Sequence, residues 1–318
     1  MIWLTWRQYR MQFVVTAGLL AAFGCLLLVN GLGAAGAVDD AVALPKGSSE
    51  RVALEMKARD LFGVVSDMLS YLVAVPVLIG AFWGAPLLSR EFEHRTHHLV
   101  WTQSVSRGRW LGTRLGMLGG AVVAGGLASG LMLTWWLGSF DGINTTSPMD
   151  SSIMFPLSGV APGGWWLFAF AAGTAVGVLL RRTLPAMAVT LAVVAVGLVL
   201  VGGLARDRYA TPERGVLPSG TTNIQVPYGS DVVEMAWMAP DGTETSGSGA
   251  VLSARGASCS GGITTSSMAC ADKLGYKVVV YLQPESRYWR FQWTEVGLLL
   301  LASIALGAIT VRRTIRTH

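Results

Sequence analysis

The side chains best suited to metal binding or acid–base chemistry in this 318-residue chain lie in one short stretch of polar sequence. It contains the carboxylates of Glu91 and Glu93 and the imidazoles of His94, His97 and His98. On a helix, His94 and His98 would share one face, as the two histidines of a zinc site do. No third ligand follows at a defined spacing, so a solvated, charged face is favoured over a metal site.

Motifs for other reactions are missing from the sequence. There is no G-x-x-x-x-G-K-[ST] loop to bind ATP phosphates, and no G-x-S-x-G motif in a strand-turn-helix setting. We therefore expect no catalytic residue, metal ligand or cofactor-binding residue in this chain. Any dependence on ATP would have to come from another polypeptide.

The composition indicates that the chain lies in a membrane. It is 52% hydrophobic and only 14% charged, with a mean hydropathy of +0.50. Soluble proteins average about 25% charged residues because their surfaces face water. Much of this chain's surface must instead face lipid, which makes membrane lipid its first expected partner.

Six apolar stretches are long enough to cross a bilayer, for which about 20 apolar residues are needed. Aromatic residues flank the two shortest, the fourth and the sixth, and would lie at the headgroup level. We refer to the stretches as spans one to six, and they run from Met11 to Ala37, Met68 to Ser89, Leu115 to Leu137, Gly163 to Leu180, Leu184 to Ala205, and Trp293 to Val311.

Charge asymmetry between the connections predicts the orientation. An even number of spans places both termini on one side, and the segments on that side carry twelve basic residues and two acidic ones. The other segments carry twelve basic residues and 17 acidic ones. Because basic residues accumulate in cytoplasmic loops, we expect both termini in the cytoplasm. The net charge of +5 is therefore a topology signal, and no nucleic-acid partner is expected.

The segment from residue 206 to 290 is polar, rich in Gly, Ser and Thr, and contains strand-like runs at 223–226, 232–238 and 276–282. The predicted fold class is thus an all-α integral membrane protein of six transmembrane helices, with a small β-rich extracytoplasmic domain between helices five and six. The predicted domains are residues 1–205 for helices one to five, 206–290 for the outer domain, and 291–318 for the last helix and a cytoplasmic tail.

Two of the three cysteines lie in the predicted outer domain. Cys259 and Cys270 would face an oxidising compartment, which favours a disulfide over two free thiols. A metal site at this pair is poorly supported, because no histidine lies near it in the sequence.

Three sequence features bear on how the spans pack and on what they could transport. Pro76 lies in the middle of span two, where it removes a backbone hydrogen bond and predicts a kink. Glycines spaced four apart predict close helix contacts in several spans. Charged residues such as Arg114 and Glu295 fall at the ends of spans, which disfavours an ion-coupled carrier. The glycine pairs are Gly80 and Gly84, Gly116 and Gly120, Gly126 and Gly130, and Gly173 and Gly177.

The connection between spans two and three resembles a known coupling segment. Glu91, Glu93 and Thr96 are similar to the E-x-E-x-x-T pattern that follows helix two in permease subunits of type-2 ABC exporters, especially the Arg-rich bacterial ones. The run from Trp101 to Arg107 looks like the family's approach to helix three. Trp3 to Gln8 resembles its N-terminal amphipathic helix, and Tyr288 to Gln292 its lead into the final span.

The resemblance implies a function and a set of partners. Such a permease dimerises with itself or a related permease, and pairs with separate ABC ATPase subunits that bind ATP and Mg. It also implies a bacterial plasma membrane location and a cytoplasmic coupling segment at 90–109. Helices two and five, with Pro76 and Pro185 as irregularities, would line the pathway. The implied ATPase-coupling residues are Glu91, Phe92, Glu93, His94, Thr96, Leu99 and Trp101.

A second class of function stays open on the sequence alone. A membrane sensor or assembly protein that transports nothing would explain the large outer segment equally well, although it would not explain the coupling segment. The substrate class is not predicted, because an apolar lining serves lipids, drugs and amphipathic peptides alike.

Overall fold

A computed structural model describes residues 2–93, 107–143, 145, 147–217, 226–246 and 274–316. The chain divides into two compact units. The first comprises residues 1–145, 152–206 and 290–318, and contains the long helices. The second comprises residues 146–151 and 207–289, and contains a β-sheet.

Eight α-helices carry most of the described chain, and two five-residue π-helical segments interrupt them. The π-helical segments are Gly80–Gly84 and Val201–Ala205. The helices are α1 Ile2–Ala43, α2 Ser49–Leu72, α3 Val75–Ile79, α4 Ala85–Glu93, α5 Arg107–Gly138, α6 Ala161–Leu180, α7 Thr183–Leu200 and α8 Tyr288–Arg316.

Within the described residues, six helical stretches are long and apolar enough to cross a membrane, which confirms the predicted number. The protein is therefore a multi-pass membrane protein. The stretches are Tyr9–Ala43, Ser49–Glu93, Gly108–Gly138, Ala161–Leu180, Thr183–Arg208 and Glu285–Ile315.

The first two spans are longer than their apolar cores. Helix α1 continues through Asp39 and Asp40 to Ala43, and α2 begins at Ser49 after a turn at Gly47. The Ser48 side chain caps α2, because its hydroxyl oxygen accepts a hydrogen bond from the Arg51 amide at 3.3 Å. Most of the polar segment between the two apolar stretches is thus helical. At the other end, Trp3 to Gln8 forms the first turns of α1.

Span two is broken where Pro76 predicted a kink. Helix α2 ends at Leu72, α3 begins at Val75, and Pro76 lies in the first turn of α3. A first-turn amide has no helical acceptor, so proline costs little there. Four residues later the π-helical segment Gly80–Gly84 adds a second irregularity. Span two is therefore a series of short helices.

The irregularity of span five is not where Pro185 suggested. Pro185 lies in the first turn of α7, which begins at Thr183, and a first-turn proline leaves the helix regular. The deviation lies at the opposite end, where the π-helical segment Val201–Ala205 follows Leu200. The expectation of a proline-induced irregularity in this helix was therefore wrong.

Glycines bring span four against spans two and three. A Cβ atom on Gly84 would lie 2.6 Å from the Phe170 carbonyl oxygen, and one on Gly126 would lie 2.6 Å from the Pro162 carbonyl oxygen. Such separations exclude any larger side chain unless the backbone moves. In contrast, a Cβ atom on Gly116 or Gly120 would meet no other described atom within 4 Å. Three of the four predicted glycine pairs thus pack closely against another helix. The fourth pair, Gly116 and Gly120, does not.

The second unit contains an antiparallel sheet of order β1-β4-β2-β3. Two strands match predicted runs, whereas the two short strands were not predicted. Trp237 opposes Val278 across the sheet, and both are buried. Residues 223–225, Cys259 and Cys270 lie outside the described residues. The strands are β1 Glu213–Val216, β2 Asp231–Met238, β3 Glu244–Ser246 and β4 Lys277–Gln283.

Candidate coupling site

The predicted coupling segment begins at the end of α4. Three of its residues, Glu91, Phe92 and Glu93, form the last turn of this helix. The other four, His94, Thr96, Leu99 and Trp101, lie outside the described residues, which resume at Arg107. The geometry of the candidate site is therefore that of the end of span two and its neighbours.

Glu91 joins span two to span three. Its carboxylate forms an ion pair with Arg114, and the two side chains are only 16% and 8% exposed. The Arg114 guanidinium also lies 4.4 Å from the centre of the Trp110 ring, close enough for a cation–π interaction. Because a charge with so little access to water needs a partner, this pair fixes α4 to the first turns of α5.

Glu93 joins span two to span five. One carboxylate oxygen accepts hydrogen bonds from the Thr183 amide at 2.9 Å and from the Thr183 hydroxyl at 2.7 Å. Thr183 is the first residue of α7, whose N-cap residue, Arg182, makes no capping bond with its own side chain. Glu93 therefore caps α7 although it belongs to a different helix. Its negative charge also interacts favourably with the positive end of the α7 helix dipole.

Phe92 contacts the short connection between spans four and five. The Arg181 guanidinium lies 5.5 Å from the centre of the Phe92 ring. Arg181 ends α6 with a left-handed backbone (φ of 55°), which turns the chain from span four into span five. Each of the three described coupling residues thus contacts a different partner at the same end of the helical unit.

The partners at this site were not found from the sequence. Arg114 and Arg181 are among the basic residues that predict the orientation, and Arg114 was also placed at the end of a span, but neither was assigned a partner, and Thr183 had no assigned role. For Thr183 a signal did exist, because a threonine just before a Leu-Pro pair is typical of a helix start. Nothing in the sequence pairs Arg114 with Glu91, since 23 residues separate them.

A second polar cluster lies at the ends of spans four, five and six. The Glu295 carboxylate is fully buried, accepts a hydrogen bond from the Trp165 indole N–H at 2.7 Å, and lies 3.4 Å from the Arg206 guanidinium. Arg206 is 3% exposed, and its guanidinium lies 4.1 Å from the Phe155 ring centre. The sequence placed Glu295 at the end of a span, but it did not predict this ion pair.

Gln292 supplies the helix cap next to this cluster. Its amide oxygen accepts hydrogen bonds from the Val160 and Ala161 amides at 3.1 and 2.8 Å, and its amide N–H donates to the Phe155 carbonyl at 3.0 Å. These two amides lie at the start of α6. The N-cap residue, Val160, has an apolar side chain that cannot accept a hydrogen bond from them. A fully buried glutamine on α8 thus satisfies the start of span four.

The sheet carries an exposed ionic cluster of its own. Arg214 forms an ion pair with Glu244, and the Tyr281 hydroxyl donates to the same carboxylate. The bond from Tyr281 and then that from Arg214 lower the pKa of Glu244. Neither this cluster nor any other group among the described residues has an arrangement of His, Cys, Asp and Glu suited to a metal ion.

Comparison with protein families places this geometry in context. A family model described as "ABC-2 membrane transporter related" matches residues 17–206. The chain belongs to this family. The matched residues of this ABC-2-related transporter include spans two to five, and with them Glu91, Glu93, Arg114 and Thr183. The resemblance seen in the sequence is thereby confirmed at the level of the family, and the protein is a membrane transport component.

Two further comparisons gave no relatives for this transporter. No curated protein and no solved structure matches the chain. The family match ends at Arg206, the last residue of the helical unit before the sheet. The sheet and span six therefore lie beyond the matched region.

Proposed function

We propose that this chain is the permease subunit of an ATP-driven exporter in a bacterial plasma membrane. Two permeases, identical or related, form the substrate pathway, and separate ABC ATPase subunits bind ATP and Mg. The termini and the segment at 90–109 face the cytoplasm, and the sheet unit faces outward. The family membership and the charge asymmetry of the connections support this arrangement.

The observation that carries the proposal is the set of bonds made by the last turn of α4. Glu91 holds span three through Arg114, and Glu93 holds the first turn of span five through Thr183. A displacement of the segment after Glu93 would therefore reach three spans at once. This is the mechanical link that a coupling segment requires.

Spans two and five contain irregular segments at which such a displacement could bend them. Span two contains the break after Leu72 and the π-helical segment Gly80–Gly84, and span five contains the π-helical segment Val201–Ala205. Interruptions of the regular hydrogen-bond ladder are where helices bend. In the proposed cycle, ATP-driven closure of the ATPases pushes the coupling segment, and spans two and five re-angle to open the pathway outward.

Co-purification with an ATPase tests the proposal. The chain is co-expressed with its genomic neighbours, including any P-loop ATPase among them, and retained ATPase and its activity are measured in lipid nanodiscs. Arg90 is exposed beside the site, so Arg90→Glu should reduce retained ATPase at least several-fold without loss of fold. Arg59→Glu is the matched control, because Arg59 is exposed on α2 at the opposite end.

The outcomes separate the two classes of function. Retention that falls with Arg90→Glu and persists with Arg59→Glu supports coupling at this face. Wild-type protein that never retains an ATPase overturns the permease assignment and favours the sensor or assembly protein. Equal retention by both variants would place the ATPase contact elsewhere.

A further inference from the structure

A cavity of about 400 Å³ lies within the helical unit, between spans one, two, three and four. Its volume falls in the range of about 300 to 1,000 Å³ that is usual for small-molecule sites. None of the described residues that line it is charged, and its polar side-chain groups are the hydroxyls of Thr16 and Ser129 and the indole N–H groups of Trp83 and Trp166. The Ser129 hydroxyl already donates to the Gly126 carbonyl at 2.8 Å. The walls therefore suit an apolar occupant.

The break in span two makes room for this cavity. Leu72 ends α2 and Val75 begins α3, and both residues line the wall. Further along the same span, Phe82 and Trp83 lie in the π-helical segment and line it as well. An uninterrupted helix would carry these side chains in one regular spiral. The irregular helix instead leaves a space beside spans one and three.

The cavity has a buried floor and an exposed rim. Leu133 and Trp166 are 1% and 7% exposed and form part of the floor. Leu19 on span one and Phe82 on span two are 67% and 55% exposed and form part of the rim. The rim belongs to the apolar surface of spans one and two, which are long and apolar enough to cross a membrane, so lipid would meet it in a single copy. The cavity is therefore continuous with the lipid-facing surface.

We propose that this cavity binds one acyl chain of a membrane lipid. An empty space would deprive its lining of dispersion contacts, and a charged or strongly polar ligand would lose its hydration and find no charged partner in the lining. A hydrocarbon chain meets neither penalty, and the bilayer supplies it at the depth of the rim. The site lies within one copy of the chain, so the proposal does not depend on the transport pathway between copies.

Quenching of tryptophan fluorescence by brominated lipid tests the proposal, because bromine on an acyl chain quenches indoles at short range and most strongly those in contact with it. The full-length protein is placed in nanodiscs of phosphatidylcholine with or without dibrominated acyl chains. Trp166 lines the cavity and is 7% exposed, whereas Trp237 is buried in the sheet at 2% exposure. Trp166→Phe is therefore compared with the matched control Trp237→Phe.

The two substitutions should shift the quenched fraction in opposite directions. If an acyl chain occupies the cavity, Trp166→Phe removes a quenched emitter and lowers the fraction, while Trp237→Phe removes an unquenched one and raises it. In a Ser129→Phe background, where the added ring fills the cavity, Trp166→Phe should instead raise the quenched fraction, as Trp237→Phe does. If that variant does not fold, the first comparison still decides. A rise with Trp166→Phe would overturn the proposal and indicate that the cavity is empty or covered by a second copy.

Discussion

The carboxylates of this protein lie in very different environments. Glu295 is wholly buried against Arg206 and Trp165, Glu91 is largely buried against Arg114, and Glu244 is partly exposed on the sheet. The cost of removing each charge depends on what happens to its partner. A buried partner is left with an uncompensated charge, whereas an exposed partner is hydrated again.

Substitution Glu295→Gln should be the most destabilising of these changes. It leaves Arg206 charged and buried, and breaking such a pair costs about 3 to 5 kcal/mol. Unfolding by a denaturing detergent, titrated into mixed micelles, measures the change. The double variant Arg206→Met with Glu295→Gln removes both charges and should recover part of the loss. Equal losses in the single and double variants would contradict this explanation, because the unpaired charge of Arg206 would then add no cost.

At the coupling site, Glu91→Gln should destabilise more than Glu93→Gln. Glu91 compensates an arginine that is 8% exposed, whereas Glu93 acts as a cap and a dipole partner at an exposed position, worth about 0.3 to 1 kcal/mol. The same detergent titration measures both. Replacing the two together would alter stability as well as coupling, so folding must be checked before weakened association is attributed to the ATPase contact. A larger loss for Glu93→Gln than for Glu91→Gln would contradict this order.

The sheet should show a pH-dependent contribution from Glu244. Hydrogen bonds from Tyr281 and Arg214 hold the pKa of this carboxyl below its usual value of 4.5, so its contribution is complete above that pH and is lost as the pH falls. Thermal unfolding of the full-length protein from pH 7 to pH 3, compared with Tyr281→Phe, measures it. The variant should show a shallower decline in melting temperature below pH 4.5. An identical decline in both proteins would exclude the contribution.

At the scale of elements, glycines decide which helices can approach each other. Span four carries Gly173 and Gly177 toward span two, and spans two and three carry glycines toward span four. Spacing of four residues predicted that these pairs share a helix face, but it could not show which faces meet another helix. Gly116 and Gly120 have the same spacing and no neighbour among the described atoms.

Alanine substitutions should separate the two kinds of glycine. Gly84→Ala places a methyl group about 2.6 Å from the Phe170 carbonyl oxygen, and overpacking of this kind costs about 1 to 3 kcal/mol. Gly116→Ala meets no neighbour and should stabilise its helix by about 0.5 to 1 kcal/mol. Melting temperatures of the two variants check this. Similar values for both would mean that the close approach at Gly84 is not essential.

The irregular elements show where sequence reasoning reached its limit. Proline marks a break directly, because it lacks an amide N–H, and Pro76 was interpreted correctly. The same residue type misled at Pro185. Both prolines lie in the first turn of a helix, but Pro76 does so in the middle of a span, whereas Pro185 lies where span five begins. The π-helical segments have no such marker, and the buried pair of Arg206 and Glu295 joins residues 89 positions apart. Contacts of that kind follow from tertiary packing, not from local pattern.

At the scale of the whole molecule, hydropathy and charge were the informative signals. Both are sums over many residues, so the number of spans could be predicted without knowledge of any contact. The orientation rests on the same kind of sum, and it stays a prediction, as does the disulfide between Cys259 and Cys270.

Cysteine labelling tests the orientation. Single cysteines introduced at Ser104 and Thr317 should resist a membrane-impermeant thiol reagent in intact cells, while one at Ser246 should react, because only the last is predicted to face outward. Labelling after the cells are permeabilised provides the control, since all three should then react. Reaction of the first two in intact cells would contradict the six-span orientation.

The ion pair between Arg206 and Glu295 also brings together the two places where the 207–289 segment joins the rest of the chain. Its side chains meet at 3.4 Å, and they lie at the points where the chain leaves the helical unit and returns to it. The intervening 207–289 segment is therefore an insertion with neighbouring ends, of the kind that tolerates exchange. A different module, or a short linker, could occupy the same place without altering how spans four, five and six are joined. The helical unit would then keep its own packing whichever module is inserted there.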